Sequence, residues 1–243
     1  MVADILRSII ILAAGCSVLT AEQPVGIVAS DELRQPIPQY PLRETGRGTA
    51  IIFIGGIGDE ISGIIPHMFR TLPPVTGEET RAYYHWHAGH PGDQDRGAAE
   101  LAEHIAAFRQ SNPRASVVLI GHSMGASLAL KTAQLLSSSD GRVMILTLDP
   151  VDRSYTPKRP KSVTWWGNAY VVNSLSAHDF IACWGGRWNE CPQADVNICF
   201  DGRQLNEHDY HYIHDDALAL MLSKRTGSSL YEGLQAALNM EEK

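Results

Sequence analysis

Apolar and polar positions along this chain alternate between two patterns. Short, mainly apolar runs, rich in β-branched residues, mark strands covered on both faces: Ala50 to Ile54, Val117 to Ile120 and Arg142 to Leu148. Arg81 to His87 (RAYYHWH) alternates as a strand should and predicts another strand, and Val163 to Asn173 and Asp195 to Phe200 supply two more. Between them lie segments with helical spacing. Ile64 to Leu72 predicts a short helix stopped by Pro73-Pro74. Arg96 to Arg109 predicts an amphipathic helix with Leu101, Ile105 and Phe108 on one stripe, ended at Asn112-Pro113. An Ala/Leu-rich helix follows Gly125, and Ala217 to Leu222 predicts the final helix. Strands and helices in alternation predict an α/β fold built on a mostly parallel sheet.

The first residues do not fit that alternation. Residues 1–21 carry Arg7, then an apolar run from Ile9 that ends in Ala13-Ala14-Gly15-Cys16, too short to span a bilayer as a helix. Small residues before a cysteine resemble the lipobox of bacterial lipoprotein signals, which implies an exported protein held to a membrane by a lipid on Cys16. Ordinary secretion, with cleavage near Ala21, is the competing expectation. Residues 22–48 form a lead-in broken by Pro24, Pro36, Pro38 and Pro41, with room for short edge strands, and residues 49–243 form one domain. Cys183, Cys191 and Cys199 suit an oxidising compartment that would permit one disulfide among them, with Cys199 expected in a buried strand.

A length of 243 residues fits a single α/β domain. The net charge of −7, without Lys/Arg clusters, removes nucleic acid as a partner class. His85 and His87 share a strand face, but without a third ligand at fixed spacing they read as pocket or core residues, and no metal is expected.

The chemistry gathers at Gly121-His122-Ser123-Met124-Gly125, between a strand and a helix. A serine at such a turn needs small neighbours, because side chains at 121 or 125 would collide with the adjoining elements. The turn lifts Oγ clear of the sheet and aims the first backbone N–H groups of the helix at the space above it. Gly55-Gly56-Ile57 follows a strand and is placed to supply a second N–H. Asp149, at the end of the next strand, is placed to orient a histidine.

In this order the elements and the GHSMG pentapeptide resemble the α/β-hydrolase fold family, and in particular its lipases and esterases. The resemblance covers nearly all of the chain after residue 21. It implies a Ser, acid, His triad in chain order. Leu148-Asp149-Pro150 is similar to the acid setting of some lipases, which gives Asp149 that role, with Asp179 at the family's more usual acid position. His-x-x-x-Asp before the last helix selects His211, with His208 and His214 open at the same three-residue spacing. Gly55-Gly56 stands where the family often has His-Gly, and backbone donation would come from Ile57 and Met124.

The implied reaction is hydrolysis of a small or lipid carboxylic ester through an acyl-enzyme on Ser123, with no cofactor. Thioester hydrolysis and acyl transfer use the same triad. A non-catalytic binding module is the reading of another class. Trp165, Trp166, Trp184 and Trp188 are open between an acyl site and the core.

Overall fold

The computed structural model describes residues 39–85, 93–139, 141–174, 176–205, 211–225 and 227–240. Cys16, residues 22–38 of the Pro-rich lead-in, and His87 and His208 lie outside them.

The six strands are β1 (Thr49–Gly55), β2 (Glu79–His85), β3 (Arg114–His122), β4 (Gly141–Leu148), β5 (Val163–Val172) and β6 (Val196–Asp201). They form one sheet in the order β2-β1-β3-β4-β5-β6, with every neighbouring pair parallel. The helices are α1 (Asp59–Ser62), α2 (Ile64–Thr71), α3 (Asp93–Ser111), α4 (Gly125–Leu135), α5 (Ala177–Trp184), α6 (Ala217–Leu222) and α7 (Leu230–Asn239).

A parallel sheet must be covered on both faces, and the strand sequences divide accordingly. Ile52, Ile54, Val117, Leu119 and Ile145 pack against Leu101, Ile105 and Phe108 of α3 and Leu130 of α4. Their neighbours Ile51, Phe53, Val118, Ile120 and Leu146 pack on the other side with Met68 of α2, Leu220 of α6 and Leu234 of α7. Phe53, Ile120 and Leu146 are all fully buried, which is why these runs carry no polar position in their middle.

The chain leaves β1 for β2 on one side and later returns to place β3 on the other. This reversal makes the carboxyl ends of β1 and β3 a topological switch point, the place where open α/β sheets bind their ligands.

The structure shifts or adds several elements. Strand β2 (Glu79–His85) begins two residues before the expected Arg81, because Thr49 pairs with Glu79, and the expected end at His87 lies outside the described residues. Helix α3 begins at Asp93, with Asp93 and Asp95 in its first turn, where negative charge complements the helix dipole. Helices α1, α5 and α7 were not expected. For α7 the signals were present: Leu230, Leu234 and Leu238 recur at four-residue spacing, and Ser229 and Glu232 form a capping box. Cys199 is exposed, since it alternates on edge strand β6 with the inward-facing Ile198 and Phe200. Cys183, Cys191 and Cys199 are unbridged; Cys191 packs in the core with Trp166 and Trp188, while Cys183 lies exposed beside Arg187.

Candidate active site

Strand β3 ends at His122, and Ser123 turns the chain into α4 with φ of 54°, a left-handed conformation that side chains other than glycine rarely adopt. The turn is pinned to the neighbouring strand: Ser123 N donates to Leu148 O at 3.1 Å, and Ser123 O accepts from Val151 N at 3.2 Å. Both flanking glycines are sterically required. A Cβ on Gly121 would sit 2.5 Å from Gly125 O, and one on Gly125 would overlap Ile54 O.

The loop after β1 crosses directly over this turn. A Cβ on Gly56 would lie 2.7 Å from Ser123 Cβ, and 3.1 Å from both Ser123 Oγ and Met124 N. Gly56 therefore brings the backbone leading into Ile57 against the Ser123 hydroxyl and the first N–H of the turn. Asp59 secures the loop behind it: Oδ1 accepts from Ile65 N at 2.9 Å and Oδ2 from Tyr83 Oη at 2.7 Å.

Asp149 follows β4 directly, fully buried and with φ of 40°. Its Oδ1 accepts from Val171 N at 2.9 Å, and its Oδ2 lies 2.6 Å from His214 Nδ1. The same Oδ2 contacts Arg187 Nη2 at 2.7 Å, and Arg187 also pairs with Asp179. His214 is fixed by its main chain as well. Its N–H donates to Asp179 Oδ2 at 3.3 Å, its carbonyl accepts from His122 Nε2 at 2.8 Å, and its ring lies 4.7 Å from that of His122, the residue next to Ser123.

Burial is the main force on His122. It pushes the imidazole down to about 4, helped by the nearby His214 and opposed by the hydrogen bond to the His214 carbonyl. Burial pushes the Asp179 carboxyl up, but the hydroxyls of Ser174 and Ser176 and the Arg187 guanidinium outweigh it and hold the group below its ordinary range.

The structure thus brings Asp149 together with His214 and not with His211. His211 is exposed, in an isolated bridge with Leu205. The His-x-x-x-Asp spacing pointed to it, but a turn in which Asp216 N bonds Ile213 O carries the inward position three residues further on. Asp179 takes neither histidine ring; it binds the backbone of His214. Ile57 and Met124 stand in the loop and turn that meet at Ser123. Sequence reasoning missed Arg187, whose partners lie far from it along the chain, and the part played by His122. Among the tryptophans, Trp166 and Trp188 belong to the core, Trp165 packs partly buried beside α7, and Trp184 is exposed. Among the described residues no group of three His, Cys, Asp or Glu side chains is placed to hold a metal ion.

Residues 63–163 match the family model of the thioesterase domain, a stretch that contains Ser123 and Asp149 and stops before His214. With the parallel sheet and the serine turn between β3 and α4, this match agrees with the α/β-hydrolase fold that the sequence resembles. Solved structures similar to it include a protein described as a cell-surface hydrolase from Lactobacillus plantarum, 10% identical over 70% of this chain and 87% of that one, with a TM-score of 0.42. Another is esterase 2 of Thermogutta terrifontis, 12% identical over 85% of both chains, with a TM-score of 0.35. No curated protein matches the chain.

Proposed function

We propose that this protein is a serine hydrolase of acyl esters, with Ser123 as nucleophile, His214 as general base and Asp149 as the acid that orients it. The observation that carries the reading is the 2.6 Å bond between His214 Nδ1 and Asp149 Oδ2 beside the left-handed turn at Ser123. Asp149 cannot donate while ionised, so His214 Nδ1 carries the proton and Nε2 presents its lone pair. That nitrogen takes the Ser123 proton as Oγ attacks the acyl carbon, and returns it to the leaving alkoxide or thiolate. Met124, in the turn, and Ile57, which follows Gly56 in the loop against that turn, supply the N–H groups that receive the oxyanion. Water, deprotonated by the same imidazole, then releases the acid and frees Ser123.

A thioester is the second substrate reading, favoured by the thioesterase-domain match over the stretch that holds Ser123 and Asp149. The two are compared by offering one acyl group as an oxygen ester and as a thioester. The test of the whole reading is Ser123→Ala in the purified protein, with fluorophosphonate labelling as a second readout. Loss of hydrolysis by on the order of ten-thousandfold or more, with an unchanged fold and no label, is expected. Retained turnover would refute it.

A further inference from the structure

The oxygen that holds the imidazole is shared. Asp149 Oδ2 meets His214 Nδ1 at 2.6 Å and Arg187 Nη2 at 2.7 Å, and the same Nη2 also pairs with Asp179 Oδ1. All of this is buried: the Arg187 side chain is 6% exposed, that of Asp149 0% and that of Asp179 2%. One cation thus stands between two carboxylates. Arg187 Nη1 donates to Val171 O at 3.2 Å, while Val171 N donates to Asp149 Oδ1, so guanidinium and carboxylate are tied to the same residue of β5.

Two buried carboxylates this close do not both stay ionised unless a cation joins them. Among the described residues, the other charged or titratable groups at the cluster cannot take that part. His122 reaches the cluster from β3, buried and held neutral; Cys183 Sγ lies 3.6 Å from Arg187 Nη1 on α5; Asp215 adds a further negative charge beside His214.

Resting on the proposed hydrolytic reading, we propose that Arg187 is a positioning residue. It keeps Asp149 and Asp179 ionised together, so that Asp149 orients the His214 ring and Asp179 holds the His214 main chain, and its charge offsets their joint pull on the imidazole proton. With Arg187 in place, the two carboxylates and the guanidinium sum to the single negative charge of an ordinary triad. Without it, two negative charges face the imidazole, which then holds its proton to higher pH and ceases earlier to act as a base as the pH falls. His214 Nδ1 and Arg187 Nη2 bond the same oxygen and so lie within about 5 Å of each other, where a unit charge in a protein shifts a titration by on the order of one to two pH units.

The experiment measures kcat/KM against pH with a short-chain ester for the full chain and for Arg187→Gln, Arg187→Lys and Asp179→Asn. It is paired with an NMR titration of the His214 ring, which does not depend on turnover. Arg187→Gln is expected to move the acid limb and the ring titration upward by one to two pH units on the order estimated from the charge, with a fall in kcat. Arg187→Lys should keep the limb near its wild-type place while lowering kcat, because an ammonium lacks the planar fork that reaches two carboxylates and Val171 O. Asp179→Asn should move limb and titration downward. A guanidinium with only a packing role would lower kcat or the folded fraction and leave every limb in place, and that result would overturn the proposal. Should Arg187→Gln fail to fold, the other two variants decide, since they must still separate in the stated directions. If the wild type hydrolyses no ester, the catalytic reading fails, and the ring titration of Asp179→Asn still reports on the charge arrangement; an unmoved midpoint overturns it.

Discussion

Acid should loosen this protein through one residue, His122. Its imidazole titrates at 6.5 in the unfolded chain and is pushed down to about 4 in the fold, chiefly by burial. A base whose folded value lies below its unfolded one binds more protons when unfolded, so stability rises with pH between the two values. The contribution is intact above 6.5, is lost as the pH falls toward about 4, and changes no further below that. A gap of that size corresponds to a loss of about 3 kcal/mol, a large share of the roughly 5–15 kcal/mol that holds a typical domain. Asp179, whose folded value is lowered from 3.8, loses its contribution only below that range, so the two windows separate. The assay is urea unfolding followed by tryptophan fluorescence, above pH 6.5 and near pH 4, for the wild type and for His122→Gln. Glutamine can still donate to the His214 carbonyl but does not titrate. The variant should therefore lose about 3 kcal/mol less than the wild type across that interval. Equal losses in the two proteins would refute the reasoning.

Two further outcomes test the site itself. Gly56→Ala would put a methyl carbon 3.1 Å from both Ser123 Oγ and Met124 N, where the proposed mechanism places the oxyanion; kcat for ester hydrolysis should drop on the order of a hundredfold or more, with circular dichroism unchanged. Asp149→Asn should cost on the order of ten-thousandfold in kcat, because an amide at 149 favours the wrong imidazole tautomer, whereas Asp179→Asn should be far milder; the reverse ranking would return the acid role to Asp179.

Much of this arrangement was legible in the sequence, because its causes are local. Gly121, Ser123 and Gly125 announce their turn through the steric needs of three alternate positions, and Asp149 through its place directly after a mainly apolar strand. The apolar runs of β1, β3 and β4 declare burial on both faces. The histidine was not legible in the same way. His211 and His214 sit in one short polar stretch, and which of them faces inward depends on contacts with Asp149, Asp179 and His122, residues from three separate parts of the chain. Arg187 was hidden for the same reason, since a single arginine in a Gly- and Trp-containing loop gives no local sign that two distant carboxylates close around it. Helix α7 is different: its leucine spacing and capping box were both present in the sequence and needed only to be counted.

Three successive strands leave the sheet through residues twisted into the left-handed region: Ser123 after β3, Asp149 after β4 and Asn173 after β5, with φ of 54°, 40° and 56°. Each such residue costs on the order of 1 kcal/mol relative to a relaxed backbone. At the first two the twist aims a side chain of the proposed triad, so the strain cannot be relieved without discarding the group it presents. At Asn173, exposed and bonded weakly to Asp201 at 3.4 Å, no such group depends on it. For anyone wishing to make this protein hardier, the working rim of the sheet therefore divides into ground that must be left alone and ground that is open to redesign, and the line between them falls between β4 and β5.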